Sequence, residues 1–150
     1  MDKCEQDSPD MTSEQIIEKV VIRYINGRIK KGTTNNFEPN RNFFKLKTLD
    51  GEKEDIDIAG IKSIFFVKDF EGEKHHSYKY KDNIPDVGKK IRVEFNDGEI
   101  ILGYVLGYSP RRLGFELVPA DLDGNNLRIY VVTAAIKKVQ FLEPSKFKLL

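Results

Sequence analysis

The chain is poor in the side chains that most enzyme chemistry draws on. It has one cysteine, Cys4, and two histidines, the adjacent His75 and His76. A lone cysteine forms no internal disulfide, and near an end it reads as a bystander thiol. The common catalytic signatures are missing: no G-x-S-x-G, no H-E-x-x-H, no phosphate-binding P-loop, and no histidine near the cysteine. Neighbouring histidines on an extended chain point to opposite sides, so the pair, which follows Asp69, Glu71 and Glu73, reads as a solvated connector and not as a metal site. No apolar run approaches the roughly 18 residues of a membrane span, and the opening MDKCEQDSPD lacks the basic-then-apolar order of a signal peptide. These absences lead to the expectation of a non-enzymatic cytoplasmic protein with no cofactor, no metal and no membrane span.

The chain does have the composition of an ordinary globular protein: 39% hydrophobic and 33% charged residues in 150 set it apart from disordered chains. Net charge is +1, but it is unevenly spread, with six acids against one base in residues 1–18. The remainder is mildly basic, well short of the charge of a dedicated nucleic-acid binder.

The chain also repeats itself. VVIRYINGRIKKG from Val20 and EPNRNFFKL are echoed by IRVEFNDGEIILG from Ile91 and GYSPRRLGFEL. Gly27, Gly32, Pro39, Arg41, Phe44 and Leu46 recur 71 positions later as Gly98, Gly103, Pro110, Arg112, Phe115 and Leu117. AGIKSIFFV, Ala59 to Val67, recurs as AAIKKVQFL, Ala134 to Leu142, at an offset of 75, which places a four-residue insertion within Pro119 to Asn126, where a loop absorbs it. A unit of about 50 residues buries too little surface to be comfortable alone, so the two repeats are expected to pack together as an internal pseudo-dimer.

Taken in order, residues 1–17 form a disordered or short helical lead. Thr12 with Gln15 fits a capping box, which would make Ile16, Ile17 and Val20 a helical turn, although the same stretch fits direct entry into a strand. The first repeat spans 18–67. It alternates apolar and polar from Val20, turns at Asn26-Gly27 with both central residues expected at positive φ, and bends its second strand, Arg28 to Thr33, at Gly32. Strands follow over Phe43 to Leu49, Asp55 to Ile58 and Ile61 to Val67. Residues 68–90 read as a connection, with Phe70, Tyr78, Tyr80, Ile84 and Val87 to bury. The second repeat, 91–142, has strands at Ile91 to Phe95, Glu99 to Tyr108, Gly114 to Val118, Leu127 to Thr133 and Ala135 to Leu142. Its second strand is the more apolar of the pair, so this repeat is expected to be more deeply buried or to form the larger interface. Residues 143–150 form a tail that offers Phe147, Leu149 and Leu150 to an edge.

Five short strands with a bent second strand and a tight break before the last describe a small barrel. Val93-Glu94-Phe95-Asn96-Asp97-Gly98 with Gly103, then Ala135-Ile136 with Val139, resemble the two motifs of Sm-like proteins; Tyr24, Gly27, Gly32, Gly60, Ile61 and Ile64 carry the likeness in the first repeat. RYxNGRxxKG, KSIFFVKDFEG, DGExxxGY and PADxDGNN, over about residues 18–142, also look like an uncharacterised family of bacterial domains found alone or beside PilZ and other signalling modules. The resemblance implies an all-β fold of two tandem Sm/SH3-like five-stranded barrels. It does not carry over a ligand site. Where Sm-like RNA binders hold their base-reading residues, this chain has Glu38-Pro39-Asn40-Arg41 and Ser109-Pro110-Arg111-Arg112, and the cyclic di-GMP motifs of PilZ domains do not occur.

The candidate ligand-binding residues are Arg41, Arg111 and Arg112, in matching loops that a pseudo-twofold would bring together as a cationic surface for phosphate or carboxylate groups. The competing reading makes them structural arginines of a repeated loop. Gly27, Gly32, Pro39, Gly98, Gly103 and Pro110 are assigned to the structural motif. Asp121 to Asn126 superficially resembles a calcium loop, but its glycine is misplaced and the closing glutamate is missing, so it reads as a strand connection. Phe65, Phe66, Phe70, Tyr78 and Tyr80 are candidates for base stacking and, more ordinarily, for core packing. The expected function is binding, through a protein partner in bacterial signalling; the alternative is a nucleotide or nucleic-acid binder using the Arg41 and Arg112 loops. The oligomeric state is left open.

Overall fold

A computed structural model of the chain describes residues 16–70, 88–105, 107–120 and 125–142. They form ten strands: β1 (Glu18–Tyr24), β2 (Ile29–Thr34), β3 (Phe43–Thr48), β4 (Lys53–Asp57), β5 (Ile61–Val67), β6 (Lys89–Phe95), β7 (Ile100–Val105), β8 (Gly114–Pro119), β9 (Asn126–Val132) and β10 (Ile136–Leu142). A single 3-10 turn, Thr133–Ala135, separates the last two. The fold is all-β, and the strands form one sheet in the order β10-β6-β7-β8-β9-β5-β1-β2-β3-β4. Every pairing is antiparallel.

Both sequence halves show the same order, fifth-first-second-third-fourth, and the same register. Val20 faces Gly32 as Ile91 faces Gly103, and Phe44 faces Ile56 as Phe115 faces Val131. Even the irregular step recurs: after a register shift Tyr24 meets Ile61, and Phe95 meets Ile136.

The hairpins at Gly27, Gly51 and Gly98 share one local design. Gly27 N donates to the carbonyl of Tyr24 at 3.0 Å, and Tyr24 N to that of Arg28 at 2.9 Å. Gly51 with Thr48 and Gly98 with Phe95 do the same. The glycines carry the left-handed φ, 93°, 92° and 95°, while Asn26 does not. This corrects the expected two-residue turn: these are three-residue loops ending in a glycine bulge. Asn26 acts through its side chain, whose Oδ1 accepts from Arg28 N at 2.9 Å, as Asp97 Oδ1 accepts from Glu99 N at 3.0 Å.

Gly32 and Gly103 mark close backbone approach. A Cβ on Gly32 would collide with the Lys47 carbonyl and come within 2.8 Å of Leu46 Cδ1; on Gly103 it would lie 2.5 Å from the Val118 carbonyl oxygen and 2.6 Å from Leu117 Cδ1. The neighbouring strand comes this close because no side chain projects between them.

Two buried clusters form. One gathers Val20, Ile22, Phe44, Leu46, Ile56, Ile58, Ile61, Ile64 and Phe66; the other gathers Ile91, Val93, Phe95, Val105, Phe115, Leu117 and Ala135. The two meet at the β9·β5 pair, where side chains alternate between them. Tyr130 and Val132 enter the first cluster, Ile129 and Val131 the second, and Phe65 packs against the second. Period-two alternation on two adjacent strands therefore stitches both halves together.

The junction joins unlike strands, the fourth of the second half and the fifth of the first. A pseudo-twofold contact would pair like with like, so the expected pseudo-dimer symmetry gives way to a head-to-tail arrangement. Ile16 and Ile17 are exposed and lie outside any helix, and β1 begins at Glu18, which fits direct entry into a strand; Thr12 and Gln15 lie outside the described residues. On β7 Gly103, Tyr104 and Val105 are buried, against Gly32 and Thr34 on β2, although Ile100 and Leu102 remain 46% and 41% exposed.

Candidate functional site

A cavity of about 560 Å³ opens where the two halves meet. Pro39 and Asn40 line it from the β2–β3 loop; Tyr108, Ser109 and Arg112 line it from the β7–β8 loop, over a floor that includes Tyr104, Phe115 and Arg128. The two loops carrying the sequence candidates thus converge on one space, contributing unequally.

The β7–β8 loop is fastened by its backbone. Arg112 N donates to the Ser109 carbonyl at 3.2 Å, Thr133 Oγ1 donates to the Arg112 carbonyl at 2.9 Å, and Thr133 N to that of Leu113 at 2.9 Å. With its main chain so held, Arg112 exposes its side chain and makes no ion pair among the described residues. Tyr108 stacks edge-on against Phe115 at 4.9 Å and Phe141 at 5.7 Å, which fixes its ring at the rim. Arg111 is exposed, with its N–H on Ser109 Oγ at 3.4 Å, and does not line the cavity.

The β2–β3 loop is held from the opposite half. Asn40, at φ 70°, donates its N–H to the Tyr130 hydroxyl at 3.2 Å. Phe37 packs beneath it against Phe44, Phe66 and Tyr130, with ring centres 5.3, 5.3 and 5.0 Å away. Burial holds the Tyr130 phenol above the usual tyrosine range, against the hydrogen bond from Asn40. Arg41 points elsewhere, pairing with Glu38 at 3.2 Å on the surface, and is not part of the lining.

Sequence reasoning missed Arg128. Its Nη1 lies 2.6 Å from Glu18 Oε2 and its Nε 3.1 Å from Glu116 Oε2, with the guanidinium 3.8 Å over the Phe66 ring. Burial opposes its charge, but the hydrogen bonds with Glu18 and Glu116 outweigh that and raise its pKa. Glu18 and Arg128 are 110 residues apart, and only a strand pairing brings them together. Arg128 is neutralised by two carboxylates, whereas Arg112, which also lines the cavity, has no ion pair among the described residues.

A second polar cluster fastens the junction elsewhere. Lys62, 4% exposed, bonds Asp97 Oδ2 at 2.7 Å and also Glu99 Oε1, and lies 4.8 Å from the centre of the Phe95 ring. Glu99 Oε2 takes Arg23 Nη1 at 3.0 Å. Charge-assisted bonds from Lys62, ahead of the Glu99 backbone N–H, hold Asp97 below the ordinary carboxylate range.

His75, His76 and Asp121 to Gly124 lie outside the described residues, as do Tyr78, Tyr80 and residues 143–150. Among the described residues, no three His, Cys, Asp or Glu side chains stand close enough to hold a metal ion, and no helix is long and apolar enough to cross a membrane. Phe65 and Phe66 lie in β5, partly and fully buried, and serve packing.

The strand order and the two-loop cavity define an all-β protein of a single antiparallel sheet. By sequence the chain belongs to a family of unknown function, DUF6982, whose model matches residues 17–143. No curated protein and no solved structure matches it.

Proposed function

We propose that the chain is two fused Sm/SH3-like barrels, produced by duplication, that act as a non-enzymatic binding module in a bacterial signalling assembly in the cytoplasm. The shared strand order, shared register and paired clusters support the duplication. The observation that carries the binding reading is the pair of sheet ends. Among the described residues, β4 and β10 each have a neighbour on one side only, and such an edge offers main-chain hydrogen bonds to another strand. Photo-crosslinkers placed at Asp55 on β4 and Gln140 on β10 test it. Discrete protein adducts are expected from both, and none from the same probe at Leu49 in a hairpin loop. Absence of any adduct at either edge would remove the reading.

The second reading is a nucleotide or nucleic-acid site, favoured by the convergence of Arg112, Tyr104 and Tyr108 on one cavity. A guanidinium beside phenol rings suits a ligand with an anionic group and a flat apolar part. A ligand that binds only the folded state raises its melting temperature. A shift produced by cyclic dinucleotides, nucleotides or short RNA and DNA should disappear in Arg112→Glu and persist in Arg41→Glu. Loss in both variants alike, or no shift in the wild type, counts against this site.

A further inference from the structure

We infer that the partner of the two free edges is a second copy of this chain, joined head to tail, β4 of one copy beside β10 of the next. The inference rests on the reading of those edges as binding surfaces and adds the partner.

Its basis is the junction inside each chain, which already pairs a fourth strand with a fifth: Ile129 faces Phe65, Tyr130 faces Ile64 and Val131 faces Ser63. The free strands are the remaining fourth and fifth, β4 and β10. A contact between unlike surfaces leaves one of each unused on every chain, so it repeats from copy to copy, closing into a ring or growing as a filament. Carrying the internal register over by the repeat offsets sets Glu54 opposite Gln140, Asp55 opposite Val139 and Ile56 opposite Lys138. One step further, Asp57 falls opposite Lys137.

The charges are of opposite sign: Asp57 of β4 falls opposite Lys137 of β10, with Lys138 beside it, while Glu54 and Asp55 already pair with Lys30 and Lys45 inside the chain. The strongest sign is a reversed ion pair. Arg23 on β1 meets Glu99 across the internal junction. Their equivalents 71 positions away are Glu94 and Arg28, the same pair with the signs exchanged. Arg28 is exposed, and among the described residues Glu94 has only long contacts, Arg92 at 3.6 Å and Lys137 at 3.9 Å. Between copies, Glu94 of one would meet Arg28 of the next.

The same comparison makes this contact weaker than the internal one. Buried Tyr130 and Val132 are replaced by Asp55 and Asp57, and Phe65 by Gln140. The Glu18–Arg128 pair has lysines, Lys89 and Lys53, at both equivalent positions. Less apolar burial and more exposed charge give an association that depends on concentration and weakens with salt.

Sedimentation velocity of the full chain, over a concentration series at low and high salt, tests the inference. The wild type should form oligomers that dissociate on dilution and with added salt. Arg28→Glu alone and Glu94→Arg alone should each weaken self-association by roughly tenfold, and an equimolar mixture of the two should restore it, because each variant supplies the sign its partner lacks. Thermal melts confirm that each variant is folded. A wild type monomeric throughout, or oligomers indifferent to both changes and to their mixing, overturns self-assembly. Edge crosslinks to a different protein would still support the binding reading in that event; edges that crosslink nothing defeat both.

Discussion

Arg23 Nη1 lies 3.0 Å from Glu99 Oε2 although 76 residues separate them. The bond links β1 to the start of β7 across the junction, and Lys62 joins it on the same carboxylate. Lys62 is 4% exposed, so its charge depends on its acidic partners. Glu99→Ala takes a carboxylate from both cations and should destabilise by about 2 kcal/mol. Lys62→Met keeps the stem over Phe95 and removes the buried charge, and should cost less than Glu99→Ala. Denaturant melts of the two variants decide the order; equal losses would mean that the charges contribute no more than packing.

Asp97 gives this cluster a pH dependence. Its pKa is held below the ordinary aspartate value of 3.8 by Lys62 and by the Glu99 backbone N–H. The unfolded chain therefore takes up the proton first as pH falls. The contribution is complete above 3.8 and is lost as pH drops through the lower folded value. Asp97→Asn should leave a shallower decline in stability over that acid window than the wild type shows. Thermal melts between neutral and acid pH read the difference.

Glycine positions separate two kinds of constraint. Gly27 has left-handed φ and open space around its missing Cβ, so Gly27→Ala meets only backbone strain, about 1 kcal/mol. Gly32 and Gly103 are blocked by the carbonyls of Lys47 and Val118 and by Leu46 and Leu117. Alanine there must push strands apart, at a cost of about 2–3 kcal/mol or more. Chemical denaturation of Gly27→Ala beside Gly32→Ala checks the ranking.

Those glycines also mark how far the sequence could be read. Gly32 and Gly103 recur at one offset inside strand patterns, which is a local signal, and the close backbone approach is where they stand. β5 was legible from Ile61 to Val67 because Ala59-Gly60 breaks the chain before it and the segment recurs as Ile136 to Leu142. The junction was not. Tyr130, Val132 and Phe65 choose between two clusters by strand pairing across the chain, and period-two alternation says only that neighbours face opposite ways. Arg112 was found from repetition, yet its repeat-mate Arg41 turns to Glu38, three residues away, a choice that spacing does not encode. Arg128 went unseen because one of its acids is 110 residues distant.

Ser63 is a polar residue buried on β5, beside Lys62. It is fully buried, and its Oγ has no hydrogen-bond partner among the described residues. A buried unsatisfied hydroxyl costs about 1–3 kcal/mol relative to a paired one. Ser63→Ala removes that group and leaves only a small void, so it should be neutral or raise the melting temperature. A clear loss would reveal a partner for the hydroxyl.

Tyr130 joins the first cluster to a loop that lines the candidate cavity. Its ring packs with Phe37, and its hydroxyl receives the Asn40 N–H, so it sets the position of the loop that supplies Pro39 and Asn40 to the cavity. Tyr130→Phe keeps the ring and removes the acceptor, and should cost about 1 kcal/mol. Burial raises the phenol pKa above its ordinary 10.0, so the unfolded chain loses this proton first as pH climbs. The stability tied to the neutral phenol is intact below 10.0 and falls away as pH rises through the folded value. The wild type should therefore lose stability above that pH more steeply than Tyr130→Phe, and melts at neutral and alkaline pH compare the two slopes. Parallel slopes would mean that the phenol is as easily ionised in the fold as in the open chain, and that the loop is held by Phe37 packing alone.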